Sequence, residues 1–194
     1  MRIAQWKDAW RRFSGRGVYP HELAALLLFP LRRIVLSPGK LIRHLHLLRE
    51  SRVLEIGSGP GFFSIEVARA IPLGRLELVD VQREMLQKAR RRLQRAGIAN
   101  AGYSQATASR LPFRPHAFDV AFLVAVLGEV SDPAACMKSI AEALRPDGLL
   151  VVAELPGDPD ALTEIQLRAF AQASDLQFVN SVRVSRSVVT TFRR

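Results

Sequence analysis

Three glycines within five residues are the part of this sequence best suited to hold a ligand. Gly57, Gly59 and Gly61 follow a short apolar run that ends at Ile56, and a helical pattern begins at Phe62. A strand, a glycine turn and a helix form the first half of a βαβ unit. Glycine adopts positive φ and lets a ligand lie against the backbone, while the helix offers free N–H groups at its start. The spacing predicts a site for a nucleotide-like ligand, and a tight turn without a ligand is the alternative.

A carboxylate further along the chain favours the same kind of ligand. Asp80 lies 23 positions after Gly57, at the end of an apolar run that predicts a second strand over residues 75–79. An acidic residue at this point of a βαβ unit can accept hydrogen bonds from both ribose hydroxyls of a nucleoside. The dinucleotide fingerprint needs a glycine where the chain has Phe62, and a P-loop needs Gly-Lys-Ser/Thr after the loop. NAD and ATP therefore fit poorly.

The glycine loop resembles motif I, E/D-x-G-x-G-x-G, of the class I S-adenosylmethionine (SAM)-dependent methyltransferases, and Glu55 supplies its acidic position. The resemblance implies an α/β fold: a Rossmann-like, doubly wound sheet of seven strands in the order 3-2-1-4-5-7-6, with strand 7 antiparallel and an N-terminal helical lid. It also implies SAM as cofactor and S-adenosylhomocysteine as product. The residues that would bind the cofactor are Glu55, Gly57, Ser58, Gly59, Gly61, Asp80, Val81, Gln82, Met85, Thr107, Ala108 and Leu123.

Later segments extend the resemblance and contain one departure from it. Residues 111–113 are Leu-Pro-Phe, residues 145–148 are Arg-Pro-Asp-Gly before an apolar strand over residues 149–153, and two β-rich stretches, residues 177–184 and 187–192, predict a terminal hairpin. The third strand is expected over residues 103–106. Thr107 stands where the family usually has the aspartate that accepts from the adenine amino group, and its hydroxyl can still accept one hydrogen bond.

The fourth strand is predicted over residues 118–122. The segment that follows it indicates which kind of molecule accepts the methyl group. Residues 123–130 are largely aliphatic and lack the Asn/Asp-Pro-Pro-Tyr/Phe motif with which DNA amino-methyltransferases hold a flipped base. The segment instead resembles methyltransferases of small molecules and lipid quinones. It makes Glu129 a candidate to face the acceptor, the alternative being a surface carboxylate at a helix start. No DNA partner is expected, and no residue is assigned a catalytic role, since methyl transfer needs a base only for a protonated nucleophile.

Composition and charge bound the rest. The chain has 194 residues, which predicts one structural unit, with residues 1–48 as the lid and substrate-side extension and residues 49–194 as the SAM-binding domain. One cysteine, Cys136, and four scattered histidines predict no metal site. The lack of a signal pattern or a long apolar run favours a cytoplasmic protein. Residues 1–50 hold ten basic and three acidic side chains of a chain whose net charge is +10, which favours an anionic partner.

The N-terminal block leaves two further questions open. Ile3, Trp6, Trp10 and Phe13 lie on one face of a predicted helix, which either packs on the domain or brings residues 1–16 into peripheral contact with an anionic membrane. Three polar residues beside an apolar run either face the acceptor or simply begin a helix. These are Tyr19, His21 and Glu22.

The expected function is methyl transfer from SAM to a small apolar or anionic acceptor, such as a quinone, a lipid or a metabolite. The alternative is a SAM-binding scaffold or membrane-surface module without transfer activity. The two differ in whether S-adenosylhomocysteine forms.

Overall fold

A computed structural model describes residues 35–194. In this part of the chain seven strands form one sheet in the order β3-β2-β1-β4-β5-β7-β6. The strands are β1 (Arg52–Ile56), β2 (Arg75–Asp80), β3 (Ala101–Gln105), β4 (Phe118–Val124), β5 (Leu144–Glu154), β6 (Gln177–Val184) and β7 (Ser187–Arg193). Strands β1 to β5 run parallel to one another, and β7 runs antiparallel to both β5 and β6. The predicted fold class and strand order are confirmed.

Five α-helices accompany the described strands. They are α1 (Pro38–Leu45), α2 (Ser64–Ala70), α3 (Arg83–Arg95), α4 (Pro133–Ala143) and α5 (Glu164–Gln172). Helix starts carry side-chain caps where the sequence provides them: the Ser37 side chain accepts from the N–H of Lys40, and the Asp132 side chain accepts from the N–H of Ala135. Each cap satisfies a backbone donor that the helix itself leaves open. A proline in the first turn follows both caps, where its missing N–H costs nothing.

The helices cover both faces of the sheet. Leu41 of α1, Val67 of α2 and Ala89 of α3 belong to a buried cluster on one face. Met137 of α4 and Leu167 of α5 belong to the cluster on the other face. Side chains of a strand alternate between the two clusters, as the twofold period of a β-strand requires. This is the doubly wound arrangement, in which parallel strands are buried on both sides.

Predicted strand bounds within residues 35–194 agree with the structure to within two residues, except for β5. This strand begins at Leu144, five residues before its predicted start. Phe118 pairs with Leu144 and Val120 with Leu149, so four residues of β5 loop out against one residue of β4. Asp147 in this bulge has a φ of 63°, and Arg145 forms an ion pair with Asp119 at 2.8 Å. The turn predicted for residues 145–148 is present, but it interrupts a strand instead of preceding one.

The described end of the N-terminal extension, residues 35–48, packs into the sheet domain. Leu36, Leu41 and Leu45 are fully buried in the same cluster as α2 and α3. The Ser187 hydroxyl in β7 donates to the carbonyl of Val35 at 3.2 Å. The rest of the predicted lid, with residues 1–16, Tyr19, His21 and Glu22, lies outside the described residues. Within residues 35–194 no helix is long and apolar enough to cross a bilayer, and no group of three or more metal-binding side chains occurs.

We predict that α1 stabilises the whole domain. Leu41→Ala should lower the free energy of unfolding by about 2–5 kcal/mol, because it opens a cavity among fully buried side chains. The matched control is Leu48→Ala, whose side chain is 59% exposed and should change stability by less than about 0.5 kcal/mol. Urea unfolding followed by circular dichroism measures both values. Equal stability of the two variants would contradict the packing of α1 into the core.

Candidate functional site

A cavity of about 920 Å³ lies at the carboxyl ends of β1, β2, β4 and β5. It is lined by the residues that end these strands and by the loops that follow them. The described lining includes residues 55–60, 79–82, 106–109 and 155–160, together with most of 124–131. The strand order turns back between β1 and β4, so adjacent crossovers leave the sheet toward opposite faces and open a crevice there.

The glycine loop after β1 forms the floor of the cavity. Gly57, Gly59 and Gly61 have φ values of 63°, 53° and 76°, which side chains with a Cβ rarely adopt. A Cβ on Gly57 would lie 2.8 Å from Cγ1 of Val126 and closer still to its Cγ2. The missing side chain therefore lets the loop after β1 lie directly against the loop after β4.

Asp80 joins the end of β2 to this loop. One carboxylate oxygen accepts from the N–H of Gly59 at 2.8 Å, and the other accepts from the N–H of Gln82 at 2.8 Å. The N–H of Ser58 donates to the carbonyl of Val79 at 3.1 Å. Burial raises the pKa of Asp80, while the backbone donors, Gln82 first, oppose the rise. Each carboxylate oxygen has further acceptor capacity, so Asp80 can also accept from a ligand that lies in the cavity.

Glu55 is the second carboxyl group on this side of the cavity. It is only 3% exposed, and its Oε2 accepts from the Ser64 hydroxyl at 2.5 Å. Burial raises its pKa to about 8; the Ser64 hydrogen bond opposes the rise, and the nearby charge of Asp80 adds to it. At neutral pH the carboxyl group therefore carries a proton, and a cationic group placed beside it would favour its ionised form.

Ser58 adds a polar atom that the fold leaves unused. Its hydroxyl is buried and has no hydrogen-bond partner within residues 35–194. A buried polar atom without a partner costs free energy, which a ligand with a matching group would recover. The cavity floor thus combines an unused hydroxyl, two carboxyl groups and glycine backbone. This set suits a nucleoside that also carries an ammonium and a carboxylate group, and the residues present therefore fit SAM.

The far side of the cavity is formed by the loops after β4 and β5. Its apolar lining comes from Val126, Val130 and Leu155, and its polar lining includes Glu129, Asp158 and Asp160. A short 3₁₀ turn, Leu127–Glu129, holds Glu129. The carbonyl of Asp160 leaves no room for a Cβ on Gly128, so the two loops touch at this glycine. This half of the cavity is apolar with carboxylates at its edge.

Glu154 lies beside this half at the end of β5. It is 6% exposed, and its Oε1 has no hydrogen-bond partner within the described chain. Burial and then the charge of Asp158 raise the pKa of Glu154 to about 8, against a hydrogen bond from the N–H of Leu162. The carboxyl end of β5 therefore holds a carboxyl group that stays neutral at pH 7.

Sequence comparison places this geometry in a family. The family model described as "Methyltransferase domain" matches residues 47–184. The chain belongs to this family. The resemblance to class I SAM-dependent methyltransferases that the glycine loop and Asp80 suggest is thereby confirmed, and the matched residues include both halves of the cavity.

Similar proteins share part of the chain. It is 34% identical over 105 residues to a ubiquinone/menaquinone biosynthesis C-methyltransferase, UbiE, of Haemophilus ducreyi, a match that covers 53% of this chain and 40% of that protein. It is 35% identical over 113 residues to UbiE of Ectopseudomonas mendocina, covering 56% of this chain and 44% of the relative. The chain spans less than half the length of these relatives.

Solved structures share the fold of this methyltransferase domain. A SAM-dependent methyltransferase from Aquifex aeolicus superposes with a TM-score of 0.85 at 18% identity, covering 91% of this chain and 99% of that one. The [4+2]-cyclase SpnF superposes with a TM-score of 0.73 at 20% identity, covering 81% of this chain and 80% of that one. At these identities the similarity shows the fold alone.

Ten of the twelve cofactor residues predicted for the methyltransferase line the cavity. Gly61 and Leu123 do not. A Cβ on Gly61 would meet Ala89, Leu93 and Ser64 at 3.2 Å, so this glycine lets α3 pack against the loop. Leu123 is fully buried in the cluster under α4 and α5, and its neighbours on β4, Phe122 and Val124, line the cavity instead.

Of the candidate acceptor residues of the methyltransferase, Glu129 lies within the described residues, whereas Tyr19, His21 and Glu22 lie outside them. Glu129 lines the cavity, and its role toward the acceptor stays a prediction. Sequence reasoning missed the loop over residues 155–160 and treated it only as a connection. Its position after a parallel strand next to β4 was the available signal, since ligands of open α/β sheets bind outside the carboxyl ends of the strands.

We predict that the contact between Gly57 and Val126 controls cofactor affinity. Gly57→Ala should weaken S-adenosylhomocysteine binding by at least about tenfold, because it adds both backbone strain and a clash. The double variant Gly57→Ala/Val126→Ala removes the clash and should recover part of the loss. Val126→Ala alone is the control, and calorimetric titration measures all four proteins. A double variant as weak as Gly57→Ala would show that the contact is irrelevant.

Proposed function

We propose that this chain transfers a methyl group from SAM to a small, largely apolar acceptor of the quinone type. The observation that carries the proposal is the hydrogen bond between the N–H of Gly59 and the carboxylate of Asp80 at the floor of a cavity that continues into an apolar half. The first half suits the cofactor, and the second half leaves room for an acceptor beside it.

Several of the chain's own residues would hold the cofactor. Asp80 would accept from the ribose hydroxyls, Glu55 would lie beside the ammonium group, and the Ser58 hydroxyl would donate to a carboxylate. Thr107 is exposed at the cavity and can accept from the adenine amino group. When bound, SAM supplies a methyl group on a cationic sulfur, which makes that methyl group electrophilic. The protein's part is alignment and the exclusion of water.

Two observations support a quinone-type acceptor. The relatives in Haemophilus ducreyi and Ectopseudomonas mendocina are named C-methyltransferases of ubiquinone and menaquinone biosynthesis. The acceptor half is lined by Val126, Val130 and Leu155, with Glu129 at hand to accept from a hydroxyl group. A hydroxyl that donates to a carboxylate makes its aromatic ring more electron-rich. In C-methylation the ring carbon gains the methyl group, the sulfur–methyl bond breaks, and the ring loses a proton.

A SAM-binding scaffold without transfer activity is the competing hypothesis. A solved [4+2]-cyclase has the same fold, so the fold alone does not require methyl transfer.

We also propose a peripheral contact between residues 1–16 and an anionic membrane, which would bring the chain to an apolar acceptor. The composition of residues 1–16 supports that contact, since two tryptophans alternate with basic side chains. The turnover assay below separates these hypotheses.

We expect S-adenosylhomocysteine to form when the full chain is given SAM and a short-chain reduced demethylmenaquinone. Asp80→Ala should weaken cofactor binding by about 100-fold, because two ribose hydrogen bonds and the link to Gly59 are lost. Glu129→Gln should lower kcat/KM for the acceptor and leave cofactor affinity unchanged.

Anionic vesicles should raise turnover more than zwitterionic ones, and only when residues 1–16 are present. Cofactor binding without turnover on quinone, lipid and metabolite panels would favour the scaffold.

We further expect cofactor binding to release a proton through Glu55. Its pKa of about 8 keeps the Glu55 carboxyl group protonated at pH 7 in the ligand-free protein, and an adjacent ammonium group would favour its ionisation. Calorimetry with S-adenosylhomocysteine in buffers of different ionisation enthalpy should show this release at pH 7 and its loss at pH 9. Glu55→Gln should abolish it, and Glu154→Gln, the control outside the cofactor half, should retain it. An enthalpy independent of buffer in the wild type would contradict the role of Glu55.

A further inference from the structure

Helix α3 lies on the outer side of the glycine loop and contacts it along one face. Met85 at its start lines the cavity. Ala89 and Leu93 are fully buried, and they approach Gly61 so closely that a Cβ there would lie 3.2 Å from each of them. Arg92 is seven residues after Met85 and therefore lies on the same helical face. The helix thus spans from the cavity wall to the end of the loop.

Arg92 donates to the last two carbonyl groups of the loop. Its Nη1 lies 2.9 Å from the carbonyl oxygen of Pro60 and 2.5 Å from that of Gly61. The side chain is half-buried. Hydrogen bonds from an ionised donor are stronger than those between neutral groups, and partial burial strengthens them further. The other arginines in the middle of α3, Arg90 and Arg91, are exposed.

The two carbonyl groups matter because of the loop they end. Three glycines with positive φ stand within five residues of the loop, so its backbone has more alternative conformations than an ordinary turn. A peptide unit is planar, and an arginine that fixes a carbonyl group also fixes the N–H on its other side. Holding Pro60 and Gly61 therefore sets the direction of the backbone that enters α2. A loop ordered before the ligand arrives spends less binding free energy on being ordered.

We propose that Arg92 is a positioning residue for cofactor binding, which holds the glycine loop in its binding shape through the carbonyl groups of Pro60 and Gly61. The proposal rests on the proposed function only in that SAM is the ligand of the loop. Arginine suits the role better than lysine, because a guanidinium group is planar and presents its donors in fixed directions.

Two measurements on the full-length chain test the proposal. The first is the affinity for S-adenosylhomocysteine by calorimetry, and the second is hydrogen exchange of residues 57–63 in the ligand-free protein. Arg92→Met should weaken binding by about 10- to 100-fold, since two charge-assisted hydrogen bonds are lost. Arg92→Lys should lose less than about tenfold. Arg91→Met removes the same charge from an exposed neighbour and should stay within about twofold.

Hydrogen exchange separates positioning from a general effect on stability. In Arg92→Met, residues 57–63 should exchange faster while the central strands β1 and β4 keep wild-type rates. Unchanged affinity and unchanged exchange in Arg92→Met would overturn the proposal. Faster exchange across the whole sheet, with an affinity loss that follows the loss of melting temperature, would also overturn it in favour of a structural role.

The experiment also distinguishes this proposal from the proposed function. A wild-type protein that binds no S-adenosylhomocysteine overturns the cofactor assignment, whereas loop exchange in the ligand-free variants still reports on Arg92. If Arg92→Met does not fold, Arg92→Gln takes its place, since it keeps two N–H donors without the charge. Loop exchange and affinity equal to wild type in Arg92→Gln and Arg92→Lys would then contradict a requirement for the guanidinium group.

Discussion

The hydrogen bond between the N–H of Gly59 and the carboxylate of Asp80 is the contact on which the site depends. It joins the loop after β1 to the end of β2, two strands that are already paired in parallel from Arg52 and Arg75 onward. The parallel register brings both strand ends to the same edge of the sheet, so a short side chain can bridge them. The second oxygen of the carboxylate holds Gln82 at the entry to α3. One buried carboxylate thus fixes the loop, the strand end and the following helix together.

Two other buried carboxyl groups lower the stability of the domain at neutral pH. Glu55 and Glu154 are buried carboxyl groups with pKa values raised to about 8 from 4.5. The folded chain holds these protons where the unfolded chain has released them, so the free energy of unfolding falls as pH rises from about 4.5 to about 8. A core built for stability alone would place apolar side chains at both positions. Glu55 lines the cavity and Glu154 directly precedes the lining residue Leu155, so stability is given up at and next to the site.

Much of this could be predicted from the sequence, because it depends on local patterns. Residues close together in the sequence predict the glycine loop, the acidic end of β2 and the terminal hairpin, and the structure contains all three. Leu123 shows where such reasoning fails: motif position placed it at the cofactor, but strand alternation turns it toward α4 and α5. Arg92 could not be picked out from the sequence either, since α3 contains four other arginines and only the hydrogen bonds to Pro60 and Gly61 distinguish Arg92 from them. Both depend on tertiary contacts that composition does not encode.

The two halves of the cavity differ in how tightly the fold constrains them. The cofactor half is built from strand ends, backbone groups and two positive-φ glycines, Gly57 and Gly59, which tolerate few side-chain changes. The acceptor half is built from the loops after β4 and β5, which contact each other at Gly128 and Asp160. Loops accept substitution and change of length at little cost to the sheet. The loops after β4 and β5 can therefore change with little effect on the strand ends, and the same fold occurs in a SAM-dependent methyltransferase and in a [4+2]-cyclase.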